Sequence, residues 1–543
     1  MKKLKLIICM SAFLLVFAGC DKDFVEINTD PYQITKIDPG LLFAGSQRIG
    51  SGGRNQIVQQ AVNPMNTGAT KGFNFNYDSG SGGNWSSYSG SLKTFSHILD
   101  LINNMPEEEQ ANYVNMRSIV RIWQAYVYMN MVDQLGNVPY FDALKAYSVG
   151  QDYFYPKYDD AKVIYEELEK ELREALAALN PNGDLVSADL FWGINGAVPS
   201  NSAATQVEHW KKLGNSILLR MGMRYSRYNP ATAERIVKEA FAGGVILDSK
   251  DNVFVTYDGT LFYNSSNNGL VTGNVSFNYV AEPFVDQLKN TNDPRGKYLL
   301  AKFDNPGNHS IGTPNFNLEE QYGLPVGVDN AQLVDPELMA LYGYRGAHPA
   351  AGFDYSQWNT RAACARLNRD FWWTSAQNLL LLAEAAHRGW IPGGDAQAKE
   401  YYEDAIRADM DIYELLMSDA KTGLPISPSI SEVEKNTYLA HPDVAYDPAN
   451  ALKLINVQYW LICVLIDGEE AWCNFKRTGY PELKRNDYTD DFWLGDGSFG
   501  DGFPRRYKYP NTEMSRNSAN YWDAVEAIGG KDDNYVRIFW DPK

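Results

Sequence analysis

The chain holds many residues capable of chemistry and arranges few of them for it. Its six histidines are His97, His209, His309, His348, His387 and His441. None sits in an HExxH motif, and none has a second histidine three or four residues away, the spacing that puts two ligands on one helix face. There is no GxSxG nucleophile elbow. Gly495-Asp496-Gly497-Ser498-Phe499-Gly500 spells GxGxxG, but Asp501-Gly502-Phe503-Pro504 follows it. A dinucleotide loop needs a helix N-terminus at that point to receive the pyrophosphate, so the motif reads as a turn. Asp487, Asp490, Asp491 and the pair Asp532 and Asp533 lack the ordered oxygen spacing of a calcium loop and read as solvated acidic turns. Cys364, Cys463 and Cys473 are odd in number and show no CxxC, which fits neither a disulfide framework nor zinc. Cys463 lies in the apolar run 459–466 and is expected to be buried. No catalytic residue, metal or cofactor is expected. The 67 acidic residues leave room for the paired carboxylates of a glycosidase, and a helical-barrel glycoside hydrolase is the rival reading.

Cys20 is the residue with assignable chemistry. Lys2, Lys3 and Lys5 precede an apolar run from Leu6 to Ala18, and Phe17-Ala18-Gly19 leads into the cysteine. A basic start, a short apolar core and small residues at the cleavage site describe a secretory signal. The run is shorter than the ~20 residues a spanning helix needs. The site resembles a bacterial lipobox, with Phe17 where leucine is usual. Residues 1–19 are read as a lipoprotein signal peptide and Cys20 as the lipidated N-terminus, anchored without spanning. Net charge is −18, and the signal would take three lysines with it. An acidic surface argues against nucleic acid and against electrostatic docking to an anionic membrane, so attachment rests on lipid alone.

The aromatic residues are the candidates for binding. With 13 Trp and 34 Tyr, the chain is rich in side chains that combine an apolar face with a polar edge. Phe73, Phe75 and Tyr77 alternate with asparagines between glycine-rich stretches at 50–53 and 78–83; they read as a sugar-stacking loop or as a short half-buried strand. Trp192 stands between Phe191 and Gly193 in a polar loop, 184–206. Tyr263, Tyr279, Tyr344 and Trp358 lie in a long Gly-, Asn- and Tyr-rich stretch, 245–375, of the kind that is usually functional. Replacing Trp192 or Trp358 by alanine is expected to weaken binding without unfolding the protein.

These residues must be carried by helices. Leu92, Phe95, Leu99, Ile102 and Met105 recur at helical steps, and Pro106 ends the segment. A second helix is expected over 107–135, closed by Gly136-Asn137. A third begins near Asp159, with Ile164, Leu168, Leu172, Leu176 and Leu179 in one stripe. Helices follow at 207–228, from Pro230 to Phe241, and at 281–289. Residues 379–388 are nearly all apolar around Glu384, which suggests a buried helix. Its partner runs over 396–416, and the pair has the size of a tetratricopeptide-type unit. Residues 451–466 form the last strong helix, and the tail 482–543 reads as irregular. The fold class is mainly α: a tetratricopeptide-like helix-pair scaffold, mainly 90–244 and 376–480, with a large loop-rich half at 245–375.

Motifs along the chain carry a family resemblance. Asp467-Gly468-Glu469-Glu470-Ala471-Trp472 leads into Phe475-Lys476-Arg477-Thr478-Gly479-Tyr480-Pro481. Then come Phe503-Pro504-Arg505-Arg506-Tyr507, Tyr509-Pro510-Asn511-Thr512-Glu513, Gly529-Gly530-Lys531-Asp532 and Phe539-Trp540-Asp541. Upstream are Asp133-Gln134-Leu135-Gly136-Asn137-Val138-Pro139-Tyr140, Asn292-Asp293-Pro294-Arg295 and Leu382-Ala383-Glu384-Ala385-Ala386-His387-Arg388-Gly389-Trp390. In this order they resemble the SusD/RagB-type nutrient-binding outer-membrane lipoproteins, the SusD-like branch, across nearly all of 20–543 as one domain. The resemblance implies a non-enzymatic, lipid-anchored cell-surface protein. It would capture oligosaccharide for import through a TonB-dependent, SusC-like outer-membrane barrel; a peptide ligand or a purely structural lid on that barrel are the alternatives. Glu470, Arg477 and Arg505 are read as pairing within the scaffold rather than touching ligand.

Overall fold

The computed structural model describes residues 38–47, 83–260, 262–264, 267, 268, 270, 279–325, 328, 330–483 and 505–541. Cys20 and the signal, Phe73, Phe75, Tyr77 and the 495–500 glycine motif lie outside that set.

The first half is built from α1 (Pro39–Gln47), α2 (Ser91–Asn103), α3 (Val114–Leu135), α4 (Ala161–Ala178), α5 (Ala203–Arg224) and α6 (Pro230–Gly243). Local sequence sets their ends. Asp160 caps α4 by accepting from the Lys162 and Val163 amides. Asn229 caps α6, with Pro230 where a missing N–H costs nothing. Gly136, at φ 78°, stops α3. The expected 107–135 helix is interrupted by a tight turn at Ala111–Tyr113.

The second half holds α7 (Glu282–Asn290), α8 (Pro336–Tyr342), α9 (Ser375–His387), α10 (Gly394–Ala420), α11 (Glu432–Leu439), α12 (Ala451–Ile466), α13 (Gly468–Thr478) and α14 (Ser518–Ala527). Strands are short. β1 (Val253–Val255) pairs antiparallel with β5 (Asp370–Trp373). β2 (Leu300–Phe303) lies between β3 (Pro314–Asn315) and β4 (Gln357–Trp358). Helices pack chiefly as α3 with α4, α5 with α6, α9 with α10 and α12 with α13, a tetratricopeptide-like scaffold. Gly214 on α5 lets Leu176 of α4 approach, where a Cβ would meet its side chain at 2.6 Å.

Buried ion pairs tie the two halves. Arg224 of α5 is held by Asp133 of α3 at 3.1 Å and by both carboxylate oxygens of Glu470 of α13. Arg220, one turn earlier, reaches Asp467 at 3.0 Å and lies 3.6 Å above the Trp373 ring. Arg477 binds Glu384 through two 2.7 Å bonds. Burial raises the Glu384 carboxyl, but Arg477 and Arg388 override it and hold the group down at about 2. The signature residues Glu470 and Arg477 therefore serve the scaffold, as does Arg505, 3.4 Å from Asp541. Cys364, Cys463 and Cys473 are buried thiols.

The tail, expected to be irregular, carries α14 and returns into the core. Arg506 Nε donates to the Leu135 carbonyl at 3.0 Å, the Tyr507 amide to the Gln134 carbonyl at 2.7 Å, and the buried Trp540 indole to Asp133 at 2.9 Å. Asp532 is no solvated turn: it accepts from Arg506 and from the Tyr509 amide.

A buried imidazole closes the β2–β4 sheet. His309 stacks on Phe303 at 3.9 Å, and its Nδ1 lies 3.0 Å from the Thr360 hydroxyl. Burial, with the Arg361 guanidinium behind it, pushes its pKa down to about 4. A depressed histidine contributes stability that is fully present above its unfolded value, ~6.5, and lost as pH falls through 4. Wild-type unfolding free energy is expected to drop between pH 7 and pH 4.5 by about 2 kcal/mol more than that of His309→Phe. Urea titrations at the two pH values measure the difference.

Candidate ligand-binding site

The loop-rich half has a small core of its own. Tyr279, Leu324, Val328, Leu333, Phe353 and Tyr355 pack together apart from the main core, with Tyr344 against them. Tyr279 is fully buried, and its hydroxyl accepts from the Phe353 amide at 2.6 Å. It is a foundation residue and not the exposed ring expected from sequence.

On this foundation stands α8. Asp335 accepts from the Glu337 and Leu338 amides, Pro336 opens the helix, and Gly343 at φ 72° ends it. The reversal at Gly343 brings Tyr342 and Tyr344 face to face. Their ring centroids are 5.5 Å apart with planes 25° from parallel. Tyr342 is 62% exposed and Leu341 69%, while Tyr344 is anchored below.

The next residue, Arg345, joins this pair to a charged neighbour. Its amide donates to the Tyr355 hydroxyl at 3.0 Å. Its guanidinium grips Asp354 with bonds of 2.8 and 2.6 Å and lies 3.8 Å above the half-exposed Tyr322 ring. Lys302 reaches Asp354 at 2.7 Å. Burial raises the Asp354 carboxyl, but Lys302 and Arg345 outweigh it and keep its pKa below the usual range. Lys289, 4.6 Å from the Tyr322 ring, is pinned by the Gln321 and Glu319 carbonyls. The result is an exposed ring, Tyr342, stacked on the half-buried Tyr344 beside charged groups already fixed by one another. Such a surface can stack an apolar sugar face and offer hydrogen bonds at its edge with little ordering cost.

Two other expectations are corrected. Trp192 is fully buried, stacked on His209 at 5.1 Å and set edge-on to Trp210 at 5.4 Å. Asp189 organises its loop inward by accepting from Gln47, Trp210 and the Phe191 amide. Gly193 follows Trp192 because a Cβ there would meet the Ser187 carbonyl at 2.4 Å; it marks tight packing, not an exposed turn. Trp358 is also fully buried, on β4 against Phe284 at 5.8 Å. Tyr263 is half-buried beside Arg366, 4.5 Å from the guanidinium. Sequence reasoning named Tyr344 and missed Tyr342 and Tyr322. The signal for Tyr342 was available: Asp335-Pro336-Glu337 starts a helix and Gly343 stops one.

Among the described residues no group of three His, Cys, Asp or Glu could hold a metal ion, and no helix is long and apolar enough to cross a membrane. The family model described as starch-binding and associating with the outer membrane matches residues 32–510. The chain belongs to the SusD-like family. Solved structures agree with this assignment. A chitin-binding protein is 25% identical, with a TM-score of 0.70 over 93% of this chain and 100% of its own. A SusD homologue from Bacteroides fragilis is 21% identical, with a TM-score of 0.70 over 94% and 100%. A chitin-binding SusD homologue from Flavobacterium johnsoniae is 21% identical, with a TM-score of 0.64 over 93% and 95%. No curated protein matches the sequence. The SusD-like match spans both the helices that carry the Arg224–Glu470 and Arg477–Glu384 pairs and the α8 platform.

Proposed function

We propose that this SusD-like protein is a cell-surface glycan-binding lipoprotein. It is anchored through lipidated Cys20 and captures oligosaccharide for import through a TonB-dependent, SusC-like outer-membrane transporter. The observation that carries this reading is the Tyr342–Tyr344 stack, with Tyr342 exposed and Tyr344 fixed on its own small core, flanked by Arg345, Asp354 and Lys302. A pyranose has an apolar face and a hydroxyl rim, and the two parts of the platform match them. Family membership and the chitin-binding relatives support the ligand class. Among the sequence candidates, Tyr344 belongs to this platform, and Tyr263 extends the set of accessible rings. The protein binds and releases its ligand unchanged.

The test is calorimetry on protein beginning at Asp21, against chito-, malto- and other oligosaccharides and against peptides, with the samples analysed for cleavage afterwards. Tyr342→Ala with Tyr344→Ala is expected to weaken saccharide binding at least about tenfold, ~1.4 kcal/mol, with the unfolding midpoint little changed. Undiminished affinity in that variant removes the platform from the site, and cleaved ligand overturns the binding-protein reading.

A further inference from the structure

A concave site of separate residues lies among the paired helices. A groove of about 630 Å³ runs between α2 and α4 with α3 as its floor. The connection after α3 forms its rim, turning at Leu144, which adopts φ 66°. The volume falls in the range of about 300–1,000 Å³ typical of small-ligand sites.

The charges lining the groove balance and are largely occupied. Arg121 is held by Glu171 and Glu174 at 2.7 Å each. Glu167 is held by Lys170 at 2.9 Å, and Lys145 lies 3.6 Å from Asp142. Arg117 donates to Gln110 at 2.9 Å. Among the described residues Asp100, which lines the groove from α2, has no ion-pair partner, and the buried Nε of Arg117 has no hydrogen-bond partner. The groove is therefore not built to select an ion of either sign.

The other groups left free are neutral. Among the described residues the side chains of Ser96 and Asn103 on α2, Gln124 on α3, and the hydroxyls of Tyr128 and Tyr140 have no hydrogen-bond partner, and all five residues line the groove. Tyr140 packs edge-on against Tyr128 at 4.8 Å and against Phe141 at 5.0 Å, and Phe141 is 41% exposed. Amides and hydroxyls beside an aromatic corner suit a ligand that is uncharged, rich in hydroxyls and apolar on one face.

We propose that this groove is a second saccharide site, taking a short neutral oligosaccharide independently of the Tyr342–Tyr344 platform. It shares the ligand class of the function proposed above but none of its residues. Two sites that share no residue would let one protein hold a chain at two points, raising avidity where the span allows.

Maltotriose and chitotriose are titrated by calorimetry into the wild type, Tyr342→Ala/Tyr344→Ala, Ser96→Trp, which fills the groove, and Asn103→Ala/Gln124→Ala, which only removes its free amides. The expected result is a binding step that survives in the tyrosine variant and is lost in Ser96→Trp. The same step should be weakened about tenfold or more in Asn103→Ala/Gln124→Ala, with unfolding midpoints unchanged. Binding abolished by the tyrosine pair and untouched by both groove variants overturns the second site and leaves the platform standing. Binding that is lost only in the groove variants supports the groove and overturns the platform. Absence of binding by the wild type overturns both.

Discussion

Arg224→Ala is expected to destabilise the protein by about 3–5 kcal/mol, the range for removing one partner of a buried ion pair. Arg224 is about 1% exposed, as are its partners Asp133 and Glu470 at 1% and 2%. The cost comes from what is left behind. Asp133 keeps the Tyr165 hydroxyl and the Trp540 indole, and Glu470 keeps Tyr459 at 2.9 Å, but both carboxylates lose their shared guanidinium partner in the core. Arg220, 3.5 Å from Glu470, softens the loss on one side only. Urea unfolding measures it, with Lys145→Ala as the surface control, where removing the Asp142 contact should change stability by less than about 1 kcal/mol. If Arg224→Ala unfolds at the wild-type midpoint, the network does not hold the halves together. The Glu384–Arg477 pair adds an acid limit. Its depressed carboxyl contributes stability that is present above its ordinary value and lost as pH falls through about 2.

Trp192→Ala is the second large effect, also about 3–5 kcal/mol, from lost burial and the cavity left behind. Its ring touches Phe191, His209 and Trp210, and the loop around it leaves no Cβ room at Gly193 for the backbone to collapse inward. Glycan affinity of the folded fraction is expected to match wild type. Weakened binding with an unchanged unfolding midpoint would return Trp192 to the list of contact residues. The same reasoning extends to Trp358, which is equally buried.

The helices were legible in the sequence where periodicity and punctuation agreed. Ile164, Leu168 and Leu172 form one buried stripe on α4, and the apolar 379–388 run belongs to a helix buried on every side. What made Glu384 tolerable there was not legible, because its partner Arg477 is 93 residues away. Exposure of single aromatics was the weakest inference. Phe191-Trp192-Gly193 has the composition of a surface turn, yet Asp189 and Gln206 supply the loop's hydrogen bonds from inside and so permit its burial. Tyr322 gave no local sign at all, since its partners Arg345, Lys302 and Lys289 come from three other segments.

The return of residues 505–541 to α3 bears on timing. Trp540 and Asp133 are 407 residues apart, and Arg506 and Tyr507 cap the end of the same helix. Contacts of such sequence separation form slowly, because loop closure precedes their reward. The Asp133 carboxylate therefore waits for its indole until the 407 residues between them have been made. Through that interval the first helix pairs exist without this contact, so the end of α3 is the part of the first half whose native packing forms last.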